Sequence, residues 1–337
     1  MVKAIRVHEH GGPEVLRWEE VEMGEPGEGE IRMKNTAIGV NFVDVYMRKG
    51  VFRVLPSLPF TLGVESVGVV TAVGPGTAGV GVGDAVGCPM AMGAYAEERI
   101  VPAAAAIPIP EWVDHKTAAA VMVKGLTARM LVREAFRVEA GHTVLVHVAA
   151  GGVGSLVCQW ASALGATVIG AVSSETSTAA QACLNVCHHV VVYAGAQEEE
   201  EDFVGKVKAI AAGTGGGDGG VDVVYDGVGK ETWRASLACL APRGCLVWFG
   251  ESSGAPEPVA PRDLKARSLS VTCPSLRSYV ATREALLAAA GEVWKKVASG
   301  VLRTPVGHVY PLAEAARAHA DMEGRRTSGS VVLVPSV

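Results

Sequence analysis

The spacing of apolar residues changes near residue 125, and this change predicts two kinds of structure. Before that point, short apolar or alternating runs are separated by Gly and Pro clusters, a pattern that favours strands over helices up to about Thr117. The predicted strands cover Lys3–Val7, Glu30–Ile38, Glu65–Val73, Asp84–Gly87 and Tyr95–Val101. Because many short strands with frequent turns are typical of small barrels, we expect a β-rich, partly open barrel.

From about Gly125 onwards, apolar strands alternate with amphipathic helices, which predicts a doubly wound parallel sheet of the α/β class. The predicted strands cover residues 143–148, 167–172, 189–193, 221–225, 245–249 and 268–272. Further helices and strands follow, and we expect them to pack on the N-terminal domain. The predicted division is therefore one domain formed by 1–124 and 274–337, with a second domain, 125–273, inserted in the chain.

The stretch Ala149–Gly154 carries the most specific chemistry. It joins an apolar strand to a helix with Leu156, Trp160 and Leu164 at helical spacing, and a second apolar strand follows. A dinucleotide-binding fold places its glycine fingerprint at this position, because small residues let a pyrophosphate approach the backbone N–H groups at the helix N-terminus. The alternative is a tight turn between core elements without a ligand.

Composition narrows the class of protein. Of 337 residues, 49% are hydrophobic and 19% charged, and the formal net charge is −5, which disfavours a general polyanion binder. We find neither an apolar run of membrane-spanning length nor a signal-peptide pattern, so we expect no membrane association and a cytoplasmic location. The seven cysteines fit a reducing compartment. Cys183 and Cys187 precede two histidines but lack a second ligand pair, so no zinc is expected there.

Several motifs occur together in one order and carry a family resemblance. They are His10–Leu16, Ala37–Tyr46, Lys124–Thr127, Ala149–Gly154, Asp226–Gly229 and Phe249–Gly254. From Val7 to Val334 the chain resembles the zinc-independent quinone oxidoreductases, the ζ-crystallin-like branch of the medium-chain dehydrogenase/reductase superfamily. The resemblance implies a GroES-like catalytic domain around a Rossmann domain and NADPH-dependent two-electron reduction of a quinone. It also implies a homodimer joined through the edge strand Ser268–Thr272.

The same resemblance bears on the catalytic residues. Zinc-dependent relatives hold the ion with Cys and His, whereas this chain has Asn41 and Val64 at those places, so we expect hydride transfer without a metal. Asn41 is the residue expected nearest the nicotinamide and the substrate. Tyr46 is a candidate donor to the developing oxyanion, or else a packed aromatic with its hydroxyl in solvent. Phe52 and Arg53 are expected to line the substrate pocket with Tyr46.

Cofactor contacts carry over from the family position by position. Lys124 and Thr127 match the stretch that contacts the nicotinamide half, although Lys124 is alternatively an exposed cation at a helix end. The pyrophosphate is assigned to Gly151, Gly152 and Val153. The loop beside the nicotinamide ribose is assigned to Phe249, Gly250, Glu251 and Ser252.

The segment after the second Rossmann strand decides between NADPH and NADH. Ser173 and Ser174 suit the 2′-phosphate of NADPH, and Tyr193 and Arg325 match family contacts to it. Many relatives have a lysine where this chain has Ser177, and the nearby Glu175 is of the type that binds the ribose hydroxyls of NADH. We expect NADPH, with NADH as the alternative.

Two other functions stay open. Reduction of α,β-unsaturated aldehydes or ketones is chemically close, because hydride addition to a conjugated enone also produces an oxyanion. A non-catalytic role, as an abundant crystallin or an RNA-binding protein, is known among relatives, although the net charge disfavours nucleic acid as a partner. His147 is expected to be a buried strand histidine bonded to backbone rather than a catalytic base.

Overall fold

The computed structural model describes residues 1–51, 55–173, 185–193, 197–214 and 219–335, and the side chains of 197–199 are not described. The chain forms two compact units. The first contains Met1–Lys124, Val280–Trp294 and Thr304–Val337, and the second contains Gly125–Tyr279 and Lys295–Arg303. Residues 274–279 and 295–303, which the sequence assigned to the first domain, thus belong to the second compact unit. The sequence-based domain boundaries stay a prediction.

The strands of the first unit form two sheets. They are β1 (Val2–Val7), β2 (Leu16–Val21), β3 (Glu30–Val40), β4 (Phe60–Thr61), β5 (Glu65–Val73), β6 (Ala85–Pro89), β7 (Glu98–Pro102) and β8 (Ile107–Pro108), with β15 (Val306–Pro311) and β16 (Ser330–Val334) from the end of the chain. One sheet has the order β2-β1-β4, and the other has the order β15-β16-β3-β5-β6-β8, with β7 also paired to β3. The C-terminal strand β16 thus pairs with β3, which confirms that the end of the chain packs on the N-terminal domain.

The strands of the second unit form one parallel sheet. They are β9 (Thr143–Val146), β10 (Thr167–Val172), β11 (His189–Val192), β12 (Val221–Asp226), β13 (Leu240–Trp248) and β14 (Ser270–Thr272). The sheet order is β11-β10-β9-β12-β13-β14, and every pairing is parallel. This order reverses direction between β9 and β12, which is the doubly wound dinucleotide-binding topology. The predicted α/β fold is confirmed.

The helices are α1 (Phe42–Lys49), α2 (His115–Met130), α3 (Gly152–Ala163), α4 (Gln197–Gly213), α5 (Trp233–Cys239), α6 (Pro261–Lys265), α7 (Leu276–Tyr279), α8 (Arg283–Ala298) and α9 (Ala315–Glu323). Helix α3 buries Leu156, Val157 and Trp160 in the second unit. Phe203 of α4 and Trp233 of α5 belong to a separate buried cluster with the sheet residues Leu145 and Ile169. Alternating helices therefore cover apolar strands, as the sequence pattern predicts. Among the described residues, no helix combines the length and apolar character needed to cross a bilayer.

The expectation that helices are scarce before Thr117 missed α1. This helix has only eight residues, too few for a clear apolar period. Its ends do carry local signals, since the Asp44 carboxylate accepts a hydrogen bond from the backbone N–H of Asn41. Gly50 ends the helix in the left-handed conformation with φ of 73°. Helix α1 matters because it starts directly after Asn41.

Candidate active site

The side chain of Asn41 lies where β3 ends and α1 begins, and both of its amide protons are used inside the first unit. Nδ2 donates to Oε2 of Glu65 at 2.9 Å and, more weakly, to the carbonyl oxygen of Gly39 at 3.4 Å. Asn41 is 9% exposed. A carboxylate and a carbonyl oxygen are both acceptors, so these contacts fix which end of the amide carries the nitrogen.

Glu65 is the buried centre of this arrangement, and the sequence analysis gave it no role. It is the first residue of β5 and is fully buried. Its Oε1 accepts a hydrogen bond from the backbone N–H of Val123 at 2.6 Å. A Cβ on Gly39 would lie 2.2 Å from Oε2 of Glu65, so glycine is needed there. Burial raises the pKa of Glu65, and the nearby Lys124 opposes that rise.

Lys124 lies inside α2 and is buried, which excludes the alternative of an exposed cation at a helix end. Its Nζ is 3.8 Å from Oε2 of Glu65, an ion pair without a hydrogen bond. Within the described part of the chain, this buried ammonium has no hydrogen-bond acceptor. A buried ammonium with unused donors is suited to an incoming oxygen atom of a ligand.

A second buried network holds α1 in place. The Tyr95 hydroxyl donates to Oδ2 of Asp44 at 3.0 Å and lies 3.0 Å from Nε2 of His319. The other ring nitrogen of His319, Nδ1, is 3.1 Å from Nη1 of Arg48. Arg48 can only donate, so Nδ1 of His319 accepts and its Nε2–H donates to Tyr95. Burial raises the pKa of Asp44 to about 7, while burial and Arg48 lower the pKa of His319 to about 3.

The predicted substrate residues are placed only in part. Tyr46 is partly buried on α1, and its ring lies 6.3 Å from the ring of Phe42. Phe52 and Arg53 lie outside the described residues. The proposed pocket of Tyr46, Phe52 and Arg53 therefore stays a prediction.

In the second unit, the turn before α3 has the geometry of a phosphate-binding loop. Val148 adopts φ of 53°, and α3 begins at Gly152 with Gly151 as its N-cap. A Cβ on Gly154 would lie 2.2 Å from the carbonyl oxygen of Val148. The glycine thus lets the helix start close against the turn, with its free N–H groups at the carboxyl edge of the sheet. This fits a pyrophosphate at Gly151, Gly152 and Val153.

A neighbouring loop is organised by Asp226, another buried carboxylate to which the sequence analysis gave no separate role. It ends β12 and accepts hydrogen bonds from the backbone N–H groups of Val228 and Gly229 and from the hydroxyls of Thr232 and Ser236. Five such contacts over 2.7–3.1 Å satisfy its charge without a cation. The loop after β12 is therefore held in one conformation.

His147 connects this loop to the glycine turn. It is buried, as predicted, but its Nε2 is bonded to the hydroxyl of Ser236 at 3.0 Å rather than to backbone. Because Ser236 donates its proton to Asp226, the imidazole donates to Ser236. Burial lowers the pKa of His147, which keeps the ring neutral.

The predicted ribose loop, Phe249–Ser252, and Thr127 both belong to the second unit. Phe249 donates its backbone N–H to the carbonyl oxygen of Asp226, and Ser252 donates to that of Gly227, so the loop Phe249–Ser252 packs on the loop after β12. Thr127 is partly buried on α2.

The predicted 2′-phosphate residues are described only in part. Tyr193 is buried, and its hydroxyl donates to the carbonyl oxygen of Glu231 at 2.9 Å. Ser173 is exposed after β10, Arg325 is exposed in the first unit, and Ser174, Glu175 and Ser177 lie outside the described residues. The preference for NADPH thus stays a prediction at this level.

No group of three or more His, Cys, Asp or Glu side chains with metal-binding geometry is found within the described ranges. At the two places where zinc-dependent relatives use Cys and His, Asn41 donates to a carboxylate and Val64 is a buried aliphatic side chain. A neutral amide and an aliphatic side chain replace the thiolate and imidazole with which those relatives hold zinc.

Comparison with known proteins agrees with this geometry. Residues 27–111 match the alcohol dehydrogenase GroES-like domain, and residues 152–290 match the zinc-binding dehydrogenase domain. The chain is 43% identical over 340 residues to quinone oxidoreductase 1 of Escherichia coli, covering 99% of this chain and 100% of the relative. It is 42% identical over 342 residues to a 2-haloacrylate reductase of Burkholderia sp, covering 99% of both.

A crystal structure of the Escherichia coli quinone oxidoreductase complexed with NADPH superimposes with a TM-score of 0.91 at 43% identity, covering 99% of this chain and 100% of that one. A GroES-like unit and a Rossmann unit in one chain define the medium-chain dehydrogenase/reductase superfamily. Within that superfamily, the chain belongs to the quinone oxidoreductase family, and it is therefore an oxidoreductase.

Proposed function

We propose that the protein reduces quinones with NADPH by hydride transfer, without a metal ion. The observation that carries the proposal is the set of side chains at the position of the catalytic zinc in zinc-dependent relatives. There, Asn41 and the buried Lys124 both face the carboxylate of Glu65. A quinone needs little activation, because its reduced ring is aromatic, so the unused donors of the Lys124 ammonium can replace a Lewis acid.

The residues of the chain fit NADPH, which when bound supplies a hydride from nicotinamide C4. Gly151, Gly152 and Val153 are proposed to hold the pyrophosphate. Gly152 and Val153 offer their backbone N–H groups, whereas the N–H of Gly151 already donates to the carbonyl oxygen of Val148 at 2.8 Å. The loop Phe249–Ser252, packed on the rigid loop after β12, borders the nicotinamide ribose. Ser173, Ser174, Tyr193 and Arg325 are proposed for the 2′-phosphate, and NADH remains the alternative because of Glu175 and Ser177.

Four side chains are proposed to contact the nicotinamide or the quinone. Asn41 orients the nicotinamide, and Thr127 supports the same half of the cofactor. The Nζ of Lys124 has unused donors, and these stabilise the negative charge that develops on a quinone oxygen. Tyr46 is a second candidate donor to that oxygen, with Phe52 and Arg53 lining the pocket. The quinolate takes its proton from water.

The second candidate is reduction of a conjugated carbonyl compound. It is favoured by one observation, the 42% identity to a 2-haloacrylate reductase over nearly the whole chain. Hydride addition to the alkene of such a substrate also places charge on an oxygen, so the same donors would serve. The two reactions differ in substrate rather than in machinery.

The proposal includes an organisation for the protein. Residues 1–124 and 274–337 form the catalytic domain and 125–273 the cofactor domain, and the protein is cytoplasmic. Two copies associate through the edge strand predicted at Ser268–Thr272. In support, β14 (Ser270–Thr272) is the last strand of the parallel sheet, where Ser270 is exposed and Val271 and Thr272 are partly exposed.

The test is a titration of the purified protein with NADPH and NADH in parallel, followed by addition of 1,4-benzoquinone, 9,10-phenanthrenequinone or 2-chloroacrylate. Tighter binding of NADPH with quinone-dependent oxidation is expected. Faster oxidation with 2-chloroacrylate would favour the second candidate, and binding without turnover would favour a non-catalytic role. Preference for NADH would contradict the proposed role of Ser173, Tyr193 and Arg325.

A further inference from the structure

Glu65 and Asn41 form a buried hydrogen-bonded pair. The surrounding backbone fixes which of the two side chains donates and which accepts. The Oε1 atom of Glu65 is held by the N–H of Val123 at 2.6 Å, so Oε2 is the atom that faces Asn41. Asn41 meets it with Nδ2 at 2.9 Å, and the carbonyl oxygen of Gly39 takes the other amide proton at 3.4 Å. The nitrogen end of Asn41 is therefore committed within the protein.

The opposite end of the amide follows from this commitment. An asparagine has two donors and one acceptor group, and here both donors are used. A ligand that meets Asn41 consequently meets Oδ1, which can only accept a hydrogen bond. The oxyanion of a reduced quinone cannot bind to an acceptor, whereas an N–H group can.

We propose that Glu65 is a positioning residue that turns Asn41 into an obligate hydrogen-bond acceptor for the carboxamide N–H of the nicotinamide. This inference rests on the proposed function, in which Asn41 orients the nicotinamide. Asn41 and Lys124 then have different roles. Asn41 accepts a hydrogen bond from the cofactor, and the ammonium of Lys124 donates to the anionic oxygen of the substrate. Glu65 touches neither ligand and acts through Asn41.

Substitution of Glu65 by glutamine reverses the direction of the hydrogen bond to Asn41 without changing the shape of the side chain. The N–H of Val123 holds the oxygen of the new amide, which leaves its NH2 group opposite Asn41. Two NH2 groups cannot bond to each other, so the amide of Asn41 turns over. This rotation of the Asn41 amide breaks only the 3.4 Å contact with Gly39. It also presents an N–H donor to the ligand.

The reciprocal exchange restores the original polarity. In Asn41→Asp alone, two carboxylates face each other at about 3 Å, which destabilises the folded protein. In the double variant Asn41→Asp/Glu65→Gln, the glutamine NH2 donates to the aspartate, and the free oxygen of the aspartate again accepts from the ligand. A carboxylate also remains near Lys124 in the double variant.

The experiment compares binding of NADPH with binding of its reduced 3-acetylpyridine analogue, in which a methyl group replaces the carboxamide NH2. Fluorescence titration should show that the wild-type protein prefers NADPH by about tenfold, the effect of one hydrogen bond. Glu65→Gln should bind both cofactors about equally, and the double variant should regain the preference. The exposed Glu28→Gln, which removes the same charge elsewhere, should behave as wild type.

Thermal unfolding without cofactor gives a second readout. The double variant should melt at a higher temperature than Asn41→Asp. Equal weakening of both cofactors in Glu65→Gln, with the ratio unchanged, would show that Glu65 only balances the charge of Lys124 and would overturn the inference. So would a wild-type ratio near one, or no recovery in the double variant. Failure of the proposed function is separate, because the wild-type protein would then bind neither cofactor or turn over no substrate.

Discussion

Gly154→Ala is the sharpest test of the glycine turn before α3. The added Cβ would lie 2.2 Å from the carbonyl oxygen and 2.9 Å from the carbonyl carbon of Val148. Both atoms belong to the backbone, so relief requires α3 to move away from the turn by about 1 Å. Overpacking of this kind costs about 1–3 kcal/mol of folding free energy.

The same displacement should weaken cofactor binding. The N–H groups at the start of α3 would move by about 1 Å from the position that suits a pyrophosphate, and a hydrogen bond to a charged group is worth about 1.5–3 kcal/mol. Loss of one such bond predicts a rise of about 10- to 100-fold in the Kd for NADPH. Fluorescence titration measures the Kd, and denaturant unfolding without cofactor measures the stability.

Gly205→Ala is the matched control. Gly205 is exposed on α4, and a Cβ there would meet no atom within 4 Å. Alanine should stabilise that helix by about 0.5–1 kcal/mol and leave the Kd unchanged. If Gly154→Ala also bound NADPH with wild-type affinity and melted normally, the close approach of α3 to the turn would not be required for binding.

Two further predictions concern the buried carboxylates. The pKa of Asp44 rises from 3.8 to about 7 on burial, so its stabilising contribution is complete below about pH 4 and is lost as the pH rises through about 7. Between about pH 5 and about pH 8 the free energy of unfolding falls by about 3 kcal/mol for this reason. Asp44→Asn should remove this part of the pH dependence in denaturant unfolding. An unchanged dependence of the unfolding free energy on pH would contradict this role of Asp44. Asp226→Ala leaves four donor groups without their shared acceptor and should cost at least about 3 kcal/mol, whereas Ser236→Ala should cost about 1 kcal/mol. Equal losses in the two variants would show that Asp226 does not organise its loop.

The parallel sheet and the glycine turn could be predicted because their signals are local. Apolar runs such as Thr143–Val146 read as buried strands wherever they pack, and Gly154 is the type of residue that a tight strand-to-helix turn requires. The packing of the chain's end on the N-terminal domain was also predicted, and strand β16 shows it by pairing with β3. Helix α1 was missed because eight residues give too short a period, although Gly50 marked its end.

The buried polar networks could not be predicted from spacing alone. Glu65 bonds to residues 24 and 58 positions away, and the Tyr95–His319 contact joins residues 224 positions apart. Such contacts depend on how strands and helices come together. One signal was present nevertheless: a charged residue at the start of strand β5, which carries no other charge and is mostly buried, indicates a buried charge that requires a partner.

A single-turnover experiment decides whether the protein transfers a hydride from NADPH to a quinone. The protein is mixed with one equivalent of NADPH, either unlabelled or deuterated at nicotinamide C4, and then with excess 1,4-benzoquinone. We expect one hydroquinone per NADPH, formed at a rate well above that of the reaction without protein and slowed by deuterium. Oxidation no faster than in the absence of protein, or without a deuterium effect when chemistry is rate-limiting, would show that the protein does not catalyse this hydride transfer.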